Sequence, residues 1–223
     1  MEKNRRLIWS IILNSLVFIL VTFSVLCNFV EVFHYEEGIK GTVCFRYFTV
    51  DSNILVALCC IILVVCGIKK LNNPTYEIPS WVIMGKFIGT IAVIITFLVS
   101  LFYLTPFLGV EVMYTKINFF LHLVAPVLAI VSCLFFDMGE KFSVKQSFLG
   151  VIPMAIYSVV YLVMVVVIGV NHGGWEDFYG FNKGGLFMVS FVVMYTFVFA
   201  LCFGFNLLRN FILTKSTKNE KGD

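Results

Sequence analysis

Six long apolar stretches, separated by short polar breaks, make up most of the chain; they fall at 8–29, 48–68, 81–104, 119–136, 148–170 and 186–208. Each is close to the roughly 20 apolar residues that a helix needs to cross the hydrocarbon of a bilayer. Backbone inside lipid finds no water, so such a segment closes its hydrogen bonds within itself, as a helix does. The pattern predicts an all-α polytopic membrane protein with six transmembrane helices. The connecting loops leave no room for a separate soluble domain, so residues 1–214 read as one membrane domain and 215–223 as a charged, disordered tail. The first stretch follows a basic start at Lys3, Arg5 and Arg6. Its apolar run exceeds the roughly 7–15 residues of a signal-peptide core, so it reads as an uncleaved span.

Composition agrees with this reading. The chain is 60% hydrophobic and 13% charged, against about 25% charged in average soluble domains, which excludes a soluble fold. A net charge of +3 gives no reason to expect a nucleic-acid partner. The placement of the cations matters more than their sum. Twelve of the 16 Lys and Arg fall on the side of the two termini, including Lys69, Lys70, Lys86, Lys141, Lys145 and Arg209. By the positive-inside rule both termini are cytoplasmic. The seven cysteines show no Cys-x-x-Cys spacing, and Cys59, Cys60, Cys66, Cys133 and Cys202 lie within spans, where cysteine acts as a small apolar residue. Cys27 and Cys44 lie where they would meet near the outer face, but a bond between them would need an oxidising compartment.

Against this apolar background the polar residues stand out. His122 sits inside the fourth span, where a titratable ring costs free energy unless it faces a polar partner or a wet cavity. In the second span Arg46, Thr49 and Asn53 follow helical i, i+3, i+7 spacing, with Ser52 three after Thr49. Helix capping by Thr49, Asp51 or Ser52 explains one such residue, but not a stripe that continues to Asn53. On the fourth span Asn118, His122, Ala125, Pro126 and Ala129 share a face. The two alanines permit close helix approach, and Pro126 frees the carbonyl of His122 and favours a kink. The alternative for His122 is a structural bond to a neighbouring helix.

Both spans run from outside to inside, so Thr49 and His122 lie near their outer ends. The fifth loop, 171–185, is on that side too, with five glycines, His172, Trp175, Asp177 and Tyr179. It reads either as an aromatic belt on a connector or as a lid over a site. These groups converge at about the depth of a lipid ester. A threonine hydroxyl becomes a nucleophile when a base takes its proton, and His122 is placed to do so. Asn53, Arg46 or glycine N–H groups of the loop are candidates to stabilise an oxyanion, and Asp51, Glu111, Asp177 or His172 to orient the imidazole. The chain contains no Gly-x-Ser-x-Gly elbow, phosphate-binding glycine loop or His-Glu-x-x-His motif.

Two of these motifs, Phe45-Arg46-Tyr47-Phe48-Thr49-Val50-Asp51-Ser52-Asn53 and His122-Leu123-Val124-Ala125-Pro126, resemble the androgen-induced-gene-one-like family of six-helix membrane proteins, and its bacterial branch more than its animal members. The resemblance extends over nearly the whole chain in the number and order of spans. It implies a threonine hydrolase that cleaves fatty acid esters of hydroxy fatty acids within the membrane, with Thr49 as nucleophile and His122 as base. It also implies a bacterial plasma membrane, a lipid substrate and no cofactor. Arg46, Ser52, Asn53, Asn118, Pro126, His172, Asp177 and Tyr179 are the expected supporting residues. A transporter or channel and a non-catalytic scaffold are the competing readings; transport would require polar groups that continue to the cytoplasmic side. His34, His122 and His172 lie on one side but lack the spacing of helix-borne metal ligands. The oligomeric state is left open.

Overall fold

The computed structural model describes residues 2–30, 41–137 and 139–222, so the first-loop residues His34, Glu36, Glu37 and Lys40 lie outside the described residues. Six helices are long and apolar enough to cross a membrane: α1 Asn4–Phe29, α2 Phe48–Asn72, α3 Ser80–Leu108, α4 Lys116–Phe136, α5 Val144–Ile168 and α6 Phe187–Ser216. The described residues contain no strand. The chain is an all-α, multi-pass membrane protein. Arg6 Nη1 donates to Ser216 Oγ at 2.8 Å, which brings the ends of the first and last helices together at one end of the bundle. That end is the termini face, and the other is the loop face.

Local sequence explains where the helices start and bend. α2 begins after Tyr47, whose backbone is extended (φ −98°, ψ 127°), with no side-chain cap. Its first N–H, that of Phe48, donates instead to Tyr179 Oη at 3.1 Å. Thr49, Asp51 and Ser52 are therefore not consumed by capping. α3 follows Pro79 and runs past its expected end at residue 104. It does so through a π-helical turn, Ser100–Leu104, after which Thr105–Leu108 resumes α-helix with Pro106 in its first turn. A wide turn disposes of the hydrogen bond that proline cannot make. Thr105 Oγ1 also donates to the Ser100 carbonyl at 2.6 Å. In α4 a second π turn, Phe120–Val124, stands directly before Ala125–Val131 and its Pro126. The break expected at that proline is a widened turn around His122. The last helix continues through Gly222, beyond the boundary expected at 214, because extending a formed helix with Lys and Glu costs little.

α1, α2 and α3 pack in sequence, α4 closes against α1 and α3, and α2 meets α4 across the middle. α5 and α6 pack on the outer side of α3. Gly89 sets the α2–α3 approach: a Cβ there would lie 3.0 Å from Val56 Cα. Toward the termini face a buried polar clasp joins α1, α3 and α4. Lys86 Nζ lies 3.5 Å from Asp137 Oδ2, with both side chains almost wholly buried. Asp137 Oδ1 accepts from Ser10 Oγ (2.6 Å) and Asn14 Nδ2 (2.8 Å), and Oδ2 from Ser132 Oγ (3.1 Å). Lys86 also donates to the Ala129 carbonyl and Thr90 Oγ1. Arg209 is likewise buried, with its guanidinium 4.4 Å from the Phe142 ring centroid and Nη1 donating to the Glu140 carbonyl. Two cations that the sequence reading counts as flanking charges are thus internal struts.

Candidate functional site at the loop face

The fifth loop is an ordered cap. Asp177 is its hub: Oδ1 accepts from Tyr161 Oη (2.8 Å) and the Phe181 N–H (2.9 Å), and Oδ2 from the Asn182 N–H (2.8 Å). Tyr179 plugs into the bundle. Its N–H donates to Tyr161 Oη, its carbonyl accepts from Tyr103 Oη, and its own hydroxyl accepts from the start of α2. Burial pushes the Tyr179 phenol above its ordinary pKa, so it stays a neutral hydrogen-bonding group. The glycines serve the turn. Gly174 donates to the Gly169 carbonyl, and a Cβ on Gly174 would lie 2.1 Å from the Met164 carbonyl oxygen. That same oxygen accepts from the Trp175 N–H at 3.0 Å. Gly174→Ala is expected to displace the cap from the end of α5 and lower stability by about 1–3 kcal/mol. Thermal unfolding and limited proteolysis between α5 and α6 check this; unchanged melting would show the cap to be dispensable.

Of the two residues the sequence singles out, Thr49 lies beneath the cap and His122 beneath the α3–α4 connection. Thr49 is the second residue of α2 and partly exposed. Its carbonyl accepts from Asn53 Nδ2 at 2.7 Å and from Ser52 Oγ at 3.1 Å. Asn53, wholly buried, also donates from Nδ2 to the Leu121 carbonyl of α4 at 3.1 Å. A single amide therefore ties the backbone at Thr49 to the backbone next to His122. Its Oδ1 has no hydrogen-bond partner among the described residues. His122 is 5% exposed, and its Nδ1 is 2.7 Å from the Met113 carbonyl. A carbonyl only accepts, so Nδ1 carries the proton and the neutral ring presents Nε2 as its basic atom. Tyr114 packs against the imidazole edge to face at 6.4 Å.

The group that orients the imidazole is a backbone carbonyl in the α3–α4 connection, not Asp51, Glu111, Asp177 or His172. Residue identity gives no signal for such a partner. The next contact corrects another expectation. Both donor hydrogens of Asn53 are spent on carbonyls, so it is a brace and not an oxyanion donor. The N–H groups of Gly173, Gly174, Gly180 and Gly185 are spent inside the cap. No hydrogen bond joins Thr49 Oγ1 to His122 among the described residues. Thr49 instead lines a narrow cleft with Phe48, Thr96, Ser100, Tyr157 and Tyr179.

The other expected residues divide. Ser52 Oγ pairs with Thr96 Oγ1 at 2.7 Å and bonds α2 to α3. Arg46 lies over the Trp175 ring at 5.9 Å, and its carbonyl accepts from Tyr157 Oη. Asn118 donates to the Val112 carbonyl and bridges the α3–α4 connection, not the site. Pro126 is buried in α4, and His172 is exposed on the cap without a side-chain bond to either catalytic candidate. Cys27 and Cys44 are both buried and free. Ser100 is a residue whose place sequence reasoning missed. It is 1% exposed, lines the Thr49 cleft and has a hydroxyl without a partner among the described residues. Its signal was a hydroxyl six residues before Pro106, at a helix irregularity. No protein-family model, curated protein or solved structure matches the chain.

Proposed function

We propose that the protein is an intramembrane lipid-ester hydrolase, or a closely related acyltransferase, with Thr49 as nucleophile and His122 as general base. The observation that carries this reading is the Asn53 brace, which holds the Thr49 and His122 segments together at one depth while Met113 leaves Nε2 free. His122 Nε2 takes the Thr49 hydroxyl proton as Oγ attacks the ester carbonyl. The tetrahedral intermediate collapses, the alkoxide leaves with the proton from Nε2, and an acyl-threonine remains. Water, deprotonated by the same nitrogen, then releases the acid and restores the hydroxyl; an alcohol in place of water gives acyl transfer. The Thr49 hydroxyl reaches Nε2 in the substrate complex, since catalytic hydrogen bonds often tighten only there. The Ser100 hydroxyl, on the wall of the Thr49 cleft, is a side-chain donor without a partner among the described residues and is placed for the substrate's oxygen.

The family resemblance of the two motifs supports the same assignment and points to fatty acid esters of hydroxy fatty acids, in a bacterial plasma membrane with both termini cytoplasmic. The buried Lys86–Asp137 pair favours a second reading, ion or proton transport, because it extends polar groups toward the termini face. Both Asp137 oxygens are hydrogen-bonded within the protein, which suits a strut better than a carrier. The test is labelling of purified protein by a fluorophosphonate. Covalent adduct at Thr49, lost in Thr49→Ala and in His122→Ala, is the expected result. Equal labelling of folded wild type and both variants, or none of any, overturns the covalent mechanism.

A further inference from the structure

We infer that the lipid-facing groove between α2 and α5 is a binding site for an organic ammonium group, carried by an amphiphile in the outer part of the membrane. The groove has a volume of about 230 Å³ and is walled by Phe45, Phe48, Tyr157 and Trp175, with Asp51 among its lining residues. It lies on the other side of α2 from the bonds that lead to His122, because Asn53 and not Asp51 faces α4. It adjoins the Thr49 cleft, with which it shares Phe48 and Tyr157, but opens away from the Asn53 bonds that lead to His122.

Asp51 is the unexplained group. It is partly exposed in the first turn of α2; its N–H donates to the Tyr47 carbonyl, but its carboxylate makes no hydrogen bond and no ion pair among the described residues. The helix start has no side-chain cap, so the carboxylate is not spent there. A favourable helix dipole would reward an acid at any position in this turn. It does not explain an acid that opens into an apolar groove, where an unpaired charge costs free energy. An interfacial aromatic belt explains the rings but has no use for the carboxylate.

Rings and carboxylate together match one ligand chemistry. Aromatic faces attract a cation within about 6 Å of their centroids, and clustered rings recognise quaternary ammonium groups. The Phe48 and Tyr157 rings already pack at a tilt, their centroids 5.1 Å apart. Arg46 lies over Trp175 at 5.9 Å, so that ring is in cation contact in the free protein. Arg46 and the exposed Glu176 are the other charges near the rim. The groove is smaller than the roughly 300–1,000 Å³ of pockets that enclose a whole drug-sized molecule. It fits a headgroup and leaves the chain in lipid.

The test uses the full-length protein in nanodiscs with Trp9→Phe and Trp81→Phe, which leaves Trp175 as the single tryptophan. The probe is an alkyl trimethylammonium with bromine beside its head, a quencher of indole fluorescence. Its uncharged 3,3-dimethylbutyl isostere is the control. The ammonium probe is expected to bind at least about ten-fold more tightly than the isostere, with Asp51→Asn removing the difference and Asp51→Glu restoring it. Circular dichroism and melting confirm that each variant is folded. Soluble tetramethylammonium displaces the probe if the head alone is recognised. Displacement by ammonium amphiphiles alone identifies a lipid as the source. Equal affinity for the isostere, or no effect of Asp51→Asn, overturns the proposal.

Discussion

His122→Ala is expected to lower lipid-ester turnover by about 10²–10⁴-fold, the usual contribution of a positioned proton-transfer group. The loss should fall on kcat with KM little changed, because the imidazole acts on the reacting atoms and not on the lipid chain. The hydrogen bond from Nδ1 to Met113 fixes the neutral tautomer, so no other atom of this side chain is available as base. Thr49→Ala should cost a similar factor, and the double variant no more than either single one, since the two groups act as a unit. Thr49→Ser keeps the hydroxyl and should retain turnover. Steady-state kinetics on a lipid ester, with Asn53→Ala as a positioning control, check the set. Strict additivity of Thr49→Ala and His122→Ala would sink the dyad.

The other large effect lies at the opposite end of the bundle. Asp137→Ala leaves the Lys86 ammonium buried without its counter-ion and strips acceptors from Ser10, Asn14 and Ser132. Breaking one partner of a buried pair typically costs about 3–5 kcal/mol. Unfolding of the variant in detergent should show a loss of that order. Replacing both residues, Lys86→Met with Asp137→Leu, removes both desolvation penalties and should recover most of it. If ester turnover survives in the double variant and no ion flux is lost, the pair is a strut. If turnover survives but an ion flux of the wild type disappears, the transport reading gains.

The six spans were readable because a helix in lipid needs only one thing of its sequence, an apolar run of sufficient length. Edges were less so. α3 passes its expected end because the π turn at Ser100–Leu104 accommodates Pro106, a geometric solution that composition does not encode. The polar stripe of α2 was readable as a stripe. Its division between neighbours was not: Ser52 goes to Thr96, Asn53 to Leu121, and Asp51 to the groove beside α5. Lys86 and Arg209 read as ordinary flanking cations, since burial depends on what packs around them. Asp137 fell just past the expected end of a span at residue 136, and so escaped notice as an intramembrane acid.

The sequence by itself determined that this is an all-α membrane protein with six spans, and that Thr49 and His122 are the residues to question. Hydrophobic length and the cost of a titratable ring in lipid are local properties, legible one segment at a time. Only the tertiary structure decided which partners those residues have. It chose a backbone carbonyl to orient His122, Asn53 to brace Thr49 against α4, and Tyr179 to seat the cap on α2. Such pairings follow from helix rotation and crossing, which one-residue spacing along a chain does not contain.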